Sequence, residues 1–304
     1  MAIQWFPGHM NKAKKDFADK LSDIDVVIEM CDARLPMSSS NPMLRSISSH
    51  KATLKLLNKQ DLADPEVTQH WIAWFQQHAS TRALALEQGD RSAKRRIVEA
   101  ARSLVPHRTG LEKPLRMIVC GIPNVGKSTL INSLAGRKIA KTGNEPAITK
   151  AQQRIQMADD AVLYDTPGMM WPKIEHEASG YALAASGAIG RNAMDETEVS
   201  LALLAYLLTH YPHALATRYK LDIAAFGDEV ALWHDIGRKR GAMRIGGVFD
   251  EQKTAELILN DFREGRIGRL SLETPQEWEY IVQEVAARAA AVDEQDDDSE
   301  ENPR

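Results

Sequence analysis

Short apolar runs alternate with amphipathic stretches along the first third of the chain. Three runs rich in leucine and β-branched residues end in polar residues, a pattern typical of strands that are buried on both faces of a parallel sheet. They span residues 24–33, 52–58 and, more weakly, 82–86. Residues 65–78 have helical spacing, with Pro65 in the first turn. The pattern therefore predicts a β-α-β-α-β-α arrangement over residues 23–106, preceded by a lysine-rich helix.

A second alternation begins near residue 114. The apolar strand 115–121 leads into a glycine-rich loop and a predicted helix at 127–134. Two short runs, 152–157 and 161–165, then resemble the arms of a hairpin. The sheet is thus predicted to resume after the first three strands and to end in a hairpin-like pair.

From residue 196 onward the pattern is helical. Its clearest start is a capping box, with Thr274 as the N-cap and Glu277 three residues later. Alternating strands and helices followed by helices alone predict an α/β domain and then an all-α domain. We place the α/β domain, with its N-terminal helix, at residues 1–192 and the helical domain at residues 193–290.

The composition narrows the class of protein. The chain has 304 residues, of which 43% are hydrophobic and 26% charged, as in ordinary soluble globular proteins. No apolar run approaches the ~18 residues of a membrane span, and the start has no apolar core of a signal peptide. We therefore expect a cytoplasmic protein. Cys31 and Cys120 end apolar runs and are predicted to be buried core residues rather than metal ligands or a disulfide.

The charge is unevenly distributed along the chain. The formal net charge is −4, yet residues 293–301 hold seven acids and no base. Without residues 293–304 the remainder carries two more bases than acids. We therefore predict a slightly basic folded body, which permits a nucleic-acid partner, and a disordered acidic tail over residues 291–304.

A phosphate-binding loop is predicted directly after the strand 115–121. Residues 121–129, GIPNVGKST, fit G-x-x-x-x-G-K-[ST], with a strand before the loop and a helix after it. The glycines allow successive N–H groups to point at phosphate oxygens, and the helix N-terminus adds its dipole. Lys127 is predicted to reach the β- and γ-phosphates, and the Ser128 hydroxyl to ligate Mg²⁺. The other predicted nucleotide-binding residues of the loop are Pro123, Asn124, Val125, Gly126 and Thr129.

Two further elements belong with this loop. In VLYDTPG, Asp165 ends a strand and is predicted to hold Mg²⁺, while the Gly168 N–H can bond the γ-phosphate and so sense its presence. The polar stretch between them, GNEPAITKAQQ, offers Thr149 as a residue that closes on Mg²⁺ in the triphosphate state. Lys127, Thr149 and Gly168 are therefore candidate catalytic residues. These motifs indicate a nucleoside triphosphate without indicating which one.

Residues 56–64, LLNKQDLAD, supply a candidate for base selection. Asn58-Lys59-Gln60-Asp61 fits N-K-x-D, and Asp61 would accept hydrogen bonds from N1–H and the exocyclic amino group of guanine. Adenine lacks both donors, so ATP would leave a desolvated carboxylate unpaired, a mismatch worth on the order of 10⁴-fold in discrimination. Asn58 would brace the loop, and the stem of Lys59 would cover the ring face. The element ends a predicted buried strand, which is where ligands bind in α/β sheets.

The order of these elements is unusual, because the base-selecting element precedes the phosphate-binding loop and D-x-x-G. Strands of a parallel sheet can be joined in a different sequence without moving the site, so circular permutation explains the order. Together with WFPGHM (5–10) and DARLPMSSSNP (32–42), these motifs resemble the circularly permuted GTPases. Within them the chain is most similar to the ribosome biogenesis GTPase A (YlqF-type) family, from Trp5 to about residue 272.

The resemblance implies a P-loop GTPase domain with a mostly parallel, circularly permuted sheet, followed by an all-α domain. It implies GTP, GDP and Mg²⁺ as ligands and a GTP-hydrolysing assembly factor for the large ribosomal subunit. Such a factor would dock on rRNA with GTP bound, be stimulated by the particle and leave after hydrolysis. The expected partners are the large-subunit precursor, its rRNA and ribosomal proteins; we expect a monomer and no membrane.

Hydrolysis requires a group that orients the attacking water. Many small GTPases have a glutamine after D-x-x-G, but this position is Met169, whose thioether cannot do so. His9 is the candidate, because WFPGHM lies near the expected N-terminal approach to the site and the family is thought to use this histidine. Asn124 occupies a position that in related GTPases helps to hold K⁺, so the resemblance adds K⁺ as an expected cofactor.

Basic clusters lie in the predicted helical domain. By residue type alone they are typical of solvated surfaces, whereas the resemblance implies that these helices dock on ribosomal RNA, by shape rather than by base readout. Because the chain passes from D-x-x-G into these helices, we hypothesise that γ-phosphate loss alters how they sit on a partner. The predicted RNA-binding residues are Arg238, Lys239, Arg240, Arg244, Arg263, Arg266 and Arg269.

The sequence also departs from the family pattern and leaves alternatives. Ala147 replaces the flexible glycine of the family's Pro-Gly-Ile-Thr, and no Ser-Ala element that backs the guanine is assigned near ALALEQ (83–88). One alternative function is a GTP-regulated RNA-binding module without significant turnover. The other is an ATP-dependent phosphotransferase, against which Asp61 and the lack of a recognisable acceptor pocket argue.

Overall fold

A six-stranded sheet forms the centre of the α/β part. The computed structural model describes residues 9–138, 153–171 and 174–284. The strands are β1 (Val26–Asp32), β2 (Ala52–Asn58), β3 (Thr81–Ala85), β4 (Leu115–Gly121), β5 (Arg154–Ala158) and β6 (Ala161–Asp165). They confirm the predicted runs, including the weak third strand and the hairpin-like pair.

The strand order is β3-β2-β1-β4-β6-β5, so the chain reverses its direction of travel across the sheet between β1 and β4. All neighbouring strands are parallel except β5, which pairs antiparallel with β6. The carboxyl ends of the parallel strands therefore meet at one edge. Ligands bind at this edge in open α/β sheets, at the point where the order reverses.

The strand β1 lies in the middle of the core and is buried along its whole length. Its side chains alternate between the two faces: Val26 and Ile28 pack in one apolar cluster, Val27 in a second and Cys31 in a third. Burial on both faces explains why the run is mostly apolar, and the buried Glu29 within it is paired with Lys55. The predicted burial of the thiols is confirmed, since Cys31 and Cys120 are fully buried, and burial raises the pKa of each thiol.

Within the described residues, five helices belong to the α/β part. Asp64 is the N-cap of the third helix, where its carboxylate accepts two N–H bonds, and Pro65 occupies the first turn as predicted. This helix ends at Phe75 rather than at residue 78, because Phe75 is its last side chain to pack in the core. The helices are α1 (His9–Leu21), α2 (Pro42–Ile47), α3 (Pro65–Phe75), α4 (Ala93–Leu104) and α5 (Lys127–Ala135).

The helical region begins earlier than the predicted boundary at residue 193. Its helices are α6 (Glu177–Ser186), α7 (Glu196–His210), α8 (Pro212–Tyr219), α9 (Glu229–Lys239) and α10 (Glu251–Arg263). Because α6 packs mainly against α7 and α10, the region starts at Glu177. In the described part of the chain no single helix is long and apolar enough to cross a membrane. Only α7 and α8 taken together reach that length and apolar composition, and they are bent by 114° relative to each other.

A further helix starts at the predicted capping box and is described from residue 275 to residue 284. The Thr274 N–H donates to the Glu277 carboxylate at 2.7 Å, and the Glu277 N–H donates to Thr274 Oγ1 at 3.2 Å. Both bonds of the capping box are thus present, and the prediction from T-x-x-E is confirmed.

Before this helix the chain returns to the edge of the sheet. The Leu270 N–H donates to the Leu62 carbonyl at 2.9 Å, and the Leu272 N–H donates to the Arg34 carbonyl at 2.7 Å. These bonds tie the C-terminal segment to the loops that follow β2 and β1. A single buried apolar cluster also includes residues from the sheet and the helices, so the two parts share one core.

Glu273 is buried beneath the loop that follows β1. Its carboxylate accepts hydrogen bonds from the N–H groups of Met37 and Ser38 and from the Ser38 hydroxyl. Its carbonyl accepts a bond from Trp71 Nε1 at 3.1 Å. Burial raises the pKa of Glu273 to about 7, although the bonds from Ser38 and Met37 act in the opposite direction. The junction between the two parts therefore contains an acid that titrates near neutral pH.

Stability should fall as this acid ionises. The pKa of Glu273 in the folded protein, about 7, lies above its ordinary value of 4.5. Its contribution to the free energy of unfolding is therefore complete at low pH, declines as the pH rises between these two values and is constant above them. Glu273→Gln removes the titration. The free energy of unfolding of the variant minus that of the wild type should therefore rise by ~1–3 kcal/mol from about pH 5 to about pH 8 in urea titrations.

A matched control for this measurement is Glu112→Gln, since Glu112 is exposed in the loop before β4. Its difference from the wild type should be the same at both pH values. If Glu273→Gln showed an equally flat difference, the raised pKa would be wrong.

Candidate nucleotide-binding site

The phosphate-binding loop connects β4 to α5 at the carboxyl edge of the sheet. The helix α5 begins at Lys127, and its N-cap, Gly126, has φ +98°, a left-handed conformation that favours glycine. Asn124 is also left-handed, with φ +59°, and its side-chain amide donates to the Gly187 carbonyl after α6 at 2.8 Å. The loop thus presents the N-terminus of α5 to the site, an arrangement that binds phosphate. The predicted strand, loop and helix are confirmed.

Lys127 and Asp165 meet inside the site. The Lys127 ammonium is 2.6 Å from Asp165 Oδ1, and both side chains are buried. The second oxygen, Oδ2, is buried and has no hydrogen-bond partner among the described residues. Such an oxygen is costly unless a cation or water binds it. Asp165 therefore fits a Mg²⁺ site that also includes phosphate oxygens, and Ser128 in the first turn of α5 stays the predicted second ligand.

This metal assignment does not rest on a preformed cage of protein ligands. Over residues 9–138, 153–171 and 174–284 no group of three or more His, Cys, Asp or Glu side chains could hold a metal ion. Mg²⁺ is commonly bound by one or two carboxylates together with substrate phosphates, so this finding agrees with the expected site.

The D-x-x-G segment lies against the phosphate-binding loop. The Met169 N–H donates to the Gly121 carbonyl at 3.0 Å, and a Cβ on Gly168 would come within 3.4 Å of the Pro123 backbone. The Met169 side chain is fully buried in the apolar cluster that includes residues of α1. Its carbonyl accepts a bond from Asn41 Nδ2 at 2.9 Å. The thioether thus packs in the core, which agrees with a structural role.

The base-selecting element turns back onto the phosphate-binding loop. Asn58, the last residue of β2, donates from Nδ2 to the Val125 carbonyl at 2.8 Å. Lys59 has a left-handed backbone, with φ +62°, and its Nζ lies 2.8 Å from Asp32 Oδ2. Asp61 follows on an exposed turn. The bracing residue Asn58 therefore has a defined partner, and Lys59 is anchored at the end of β1.

Asp32 is the centre of a buried ion cluster that sequence reasoning did not identify. Arg34 donates to its carboxylate from Nε and Nη2 at 2.9 and 2.8 Å, and Lys59 adds a second cation. Burial alone would raise the pKa of Asp32, but the two cations hold it well below its usual range. The guanidinium also donates to the Phe262 carbonyl at 3.1 Å. The cluster thus links the base-selecting loop to α10.

The base-selecting loop and the phosphate-binding loop line one cavity of about 310 Å³. Asp61 comes from the first loop, and Asn124 and Gly126 from the second. A larger cavity of about 630 Å³ lies between α6, α7 and the helical residues 275–284, with mainly Ala, Leu and Tyr walls. It lacks a phosphate-binding loop, so we assign the nucleotide to the smaller cavity.

The loop after β3 is part of the site that the sequence left unassigned. Residues 87–90 line the same cavity. The Gln60 N–H donates to the Leu86 carbonyl at 3.0 Å, which joins this loop to the base-selecting loop. The sequence could have indicated this loop only by its position, because the loop follows the third strand at the edge where the other motifs lie. The loop therefore borders the cavity that Asp61 also lines, and the guanine-backing element stays unassigned.

Two predicted RNA-binding arginines have internal partners. Arg263 lines the nucleotide cavity and donates to two carbonyls of the last turn of α6, at 2.9 and 3.0 Å. Arg269 donates to the carbonyls of Gln60 and Ala63 at 2.8 and 3.0 Å. These bonds orient the two side chains, but each guanidinium has five N–H donors, and Arg269 is exposed. The RNA-binding roles of Arg263 and Arg269 therefore stay predictions.

Most of the remaining candidates surround an exposed turn between α9 and α10, the basic hairpin (residues 238–248). Met243 and Phe249 form an antiparallel bridge, and the Arg244 N–H donates to the Val248 carbonyl at 2.7 Å. Ile245 at the tip is fully exposed. The exposed basic side chains of the hairpin are Arg238, Lys239, Arg240 and Arg244, and the last candidate, Arg266, is exposed beyond α10.

Some predicted elements lie outside the described residues. Thr149 and Ala147 fall within residues 139–152, and the acidic tail falls within residues 285–304. His9 is the first residue of α1, and its side chain also lies outside the description. The roles of Thr149 and His9 therefore stay predictions.

Comparisons with known proteins agree with this site. A family model described as 50S ribosome-binding GTPase matches residues 116–220. The chain is 44% identical over 287 residues to ribosome biogenesis GTPase A of Priestia megaterium, covering 92% of this chain and 99% of the relative. It is 30% identical over 292 residues to mitochondrial ribosome-associated GTPase 1 of Mus musculus, covering 89% and 90%.

Two solved structures of YlqF share the fold. The GDP-bound form and the GNP-bound form from T. maritima each give a TM-score of 0.62 at 25% identity. The matches cover 86% and 88% of this chain, and 99% of each solved chain. The likeness therefore spans both the sheet and the helical region.

Gly126→Ala should abolish tight nucleotide binding. A Cβ at this position would lie 2.3 Å from Asn58 Nδ2, so the amide must move and its bond to the Val125 carbonyl breaks. Left-handed backbone strain adds ~1–3 kcal/mol. We expect the Kd of a fluorescent GDP analogue to rise by at least ~100-fold, measured by titration.

The matched control is Gly136→Ala at the other end of α5. Gly136 is also left-handed, with φ +65°, but a Cβ there meets nothing within 4 Å. This variant should bind the analogue within ~3-fold of the wild type, since only remote backbone strain is added. Equal affinities for the two variants would show that the contact with Asn58 does not shape the site.

Proposed function

The chain belongs to the ribosome biogenesis GTPase A family, and on that premise we propose that it is a GTP-hydrolysing assembly factor of the large ribosomal subunit. It docks on the rRNA of an immature particle with GTP bound. The particle stimulates hydrolysis, and the GDP form then leaves. The activity class follows from the family and its GTPase domain.

The hydrogen bond from Asn58 to the Val125 carbonyl is the observation that carries this proposal. It holds the base-selecting loop against the phosphate-binding loop, so that Asp61 and the first turn of α5 line one cavity. A nucleotide in this cavity would place its base at Asp61 and its phosphates at the N-terminus of α5. The reversed order of the motifs along the chain therefore does not prevent a single site.

Asp61 favours guanine over adenine for a chemical reason. Its two carboxylate oxygens can accept bonds from N1–H and the exocyclic amino group of guanine, whereas adenine presents no such pair of donors. A buried polar contact that loses its partner costs ~1–3 kcal/mol or more when charged. This argues against the alternative of an ATP-dependent phosphotransferase.

At the phosphate end, Lys127 and the N–H groups of the loop bind and orient the triphosphate. Mg²⁺, when bound, neutralises charge on the β- and γ-phosphates. Asp165 and Ser128 would hold it, with Thr149 closing on it in the GTP state. Gly168 packs against Pro123, so its N–H is near the loop that binds the γ-phosphate.

His9 is proposed to orient the attacking water. α1 ends at Leu21, shortly before the chain enters β1 at the amino edge of the sheet. The start of α1 would therefore point toward the carboxyl edge, where the site lies. Phe17 and Leu21 pack in the cluster that contains Met169, beside D-x-x-G. On this path the start of α1, which is His9, would approach the γ-phosphate end of the site.

The segment after D-x-x-G is proposed to carry the nucleotide state to the helical region. It leads into α6, which packs against α7 and α10. Asn124 of the phosphate-binding loop also bonds the Gly187 carbonyl at the end of α6. Movement of D-x-x-G on loss of the γ-phosphate would therefore be felt by helices that face a partner. K⁺ binding at Asn124 stays a further prediction.

The basic hairpin is proposed as the main contact with ribosomal RNA. Its four basic side chains are exposed at the end of α9 and in the turn that follows, and Ile245 next to Arg244 offers an apolar tip. Arg244 is also paired with Asp250 at 3.1 Å, which fixes its direction. Contacts of this kind recognise the phosphate backbone and the shape of folded RNA. We expect the protein to act as a monomer that also touches ribosomal proteins.

His9→Ala should separate docking from turnover. We expect the variant to bind GTP within ~2-fold of the wild type and to sediment with large-subunit precursors in a GTP analogue but not in GDP. Its precursor-stimulated phosphate release should fall by ~10²-fold or more, since general acid–base and water-positioning groups contribute about that much. Sedimentation and multiple-turnover phosphate assays measure the two properties.

His50→Ala is the matched control, because His50 is exposed in the loop before β2, at the amino edge of the sheet. It should keep full stimulated turnover. Full turnover in His9→Ala would remove its catalytic role. A wild type that binds precursors equally with GTP analogue and GDP would contradict the assembly switch, and one without stimulated turnover would favour the RNA-binding module.

Removing charge from the basic hairpin should weaken RNA binding in a salt-dependent way. The test is the triple variant Arg238→Ala/Lys239→Ala/Arg240→Ala, with binding to a large-subunit rRNA transcript measured at several salt concentrations. We expect the slope of the log association constant against the log salt concentration to become less steep by ~0.7–0.9 per lost phosphate contact. The control, Arg91→Ala/Lys94→Ala/Arg95→Ala, removes three exposed charges beside α4. Equal loss in both variants would mean that the hairpin has no special role.

A further inference from the structure

The base-selecting loop (residues 58–64) is held from outside by the C-terminal segment that follows α10. We propose that Arg269, through this contact, is a positioning residue for guanine recognition. The residue touches neither the base nor the phosphates; it acts through Asp61. The inference rests on the proposed nucleotide site and assigns part of its specificity to the helical region.

The guanidinium of Arg269 bridges the two sides of Asp61. Its Nη2 donates to the Gln60 carbonyl at 2.8 Å, and its Nε donates to the Ala63 carbonyl at 3.0 Å. The acceptors belong to the residue before Asp61 and to the residue two positions after it. Because the guanidinium is planar and its donors are fixed relative to one another, it sets the spacing of both carbonyls.

Neighbouring contacts make the same segment a continuous support. The Leu270 N–H donates to the Leu62 carbonyl at 2.9 Å, and the Asp64 N–H donates to Ser271 Oγ at 3.3 Å. Gly265 lies so close that a Cβ there would be 2.7 Å from Leu62 Cδ2. The turn that carries Asp61 is therefore bonded to the C-terminal segment at several successive residues.

The inner side of the loop is held by the α/β part. Asn58 bonds the Val125 carbonyl, Lys59 pairs with Asp32, and the Gln60 N–H bonds the Leu86 carbonyl. Asp61 itself is exposed and lines the nucleotide cavity. The position of its carboxylate is thus set by two groups of contacts, and only the outer group comes from the helical region.

The expected consequence concerns base discrimination rather than affinity alone. Guanine offers Asp61 two donors, whereas hypoxanthine lacks the exocyclic amino group and offers one. A correctly placed carboxylate therefore prefers GDP to IDP by ~10-fold or more, the value of a hydrogen bond to a charged group. A carboxylate that has lost its outer support aligns less well with both donors, so the preference shrinks.

Arg269→Ala is expected to lower the IDP-to-GDP ratio of Kd values by at least ~3-fold, measured by isothermal titration. Arg266→Ala is the matched control, since Arg266 is an exposed arginine of the same segment that pairs with Asp261 and Glu264 and not with the loop. Its ratio should equal that of the wild type. If Arg269 had a purely structural role, the substitution would lower the melting temperature or reduce the active fraction equally in the GDP and IDP titrations. The ratio of Kd values would then be unchanged.

Arg269→Lys keeps the charge and an alkyl stem but lacks the planar pair of donors that sets the spacing of the two carbonyls, so it should lower the ratio by a smaller factor. It also provides the test if Arg269→Ala does not fold. An unchanged ratio in folded Arg269 variants would overturn the inference and leave the nucleotide site intact. A wild type that binds ADP as well as GDP would overturn the proposed site itself and the inference with it.

Discussion

The parallel register of the sheet is the constraint on which the site depends. Parallel strands place all their carboxyl ends at one edge, so loops from β1, β2, β4 and β6 meet there whatever their order along the chain. The bond between Asn58 and the Val125 carbonyl then joins the two loops that are proposed to bind opposite ends of a nucleotide. Circular permutation is tolerated because it changes the connections and not the edge.

Buried charges fix the loops at this edge. Asp32 with Arg34 and Lys59, and Glu29 with Lys55, are ion pairs inside the protein. A buried charge is costly when it loses its partner, so each pair disfavours any arrangement of the loops in which one member is displaced. The loop after β1 is buried throughout residues 33–41, and Glu29 accepts hydrogen bonds from Ser40 and Asn41 within it.

The helical region contacts the loops of the proposed nucleotide site rather than simply following them along the chain. Arg34 bonds the Phe262 carbonyl, Arg269 bonds the base-selecting loop, and Glu273 binds the loop after β1. A partner that shifts the helices would therefore alter the surroundings of the guanine as well as the switch segment. By thermodynamic reciprocity, the nucleotide would alter partner affinity to the same extent. This gives an assembly GTPase two physical links between its ligands.

The sequence by itself determined the elements whose chemistry is local. Strands could be predicted from apolar runs. The phosphate-binding loop could be predicted because Gly126, Lys127 and Ser128 each meet a local backbone or ligand requirement. The capping box at Thr274 was legible for the same reason, since cap and partner are three residues apart.

Only the tertiary structure decided which arginines donate to main-chain carbonyls, where the helical region begins and which loop borders the cavity beside Asp61. From sequence, Arg269 was grouped with the predicted RNA-binding cations, because nothing local indicates its carbonyl partners, which lie 209 and 206 residues away in sequence. Contacts of that range leave no periodicity or spacing in the chain, and they form only when the sheet edge and the helices are already packed together.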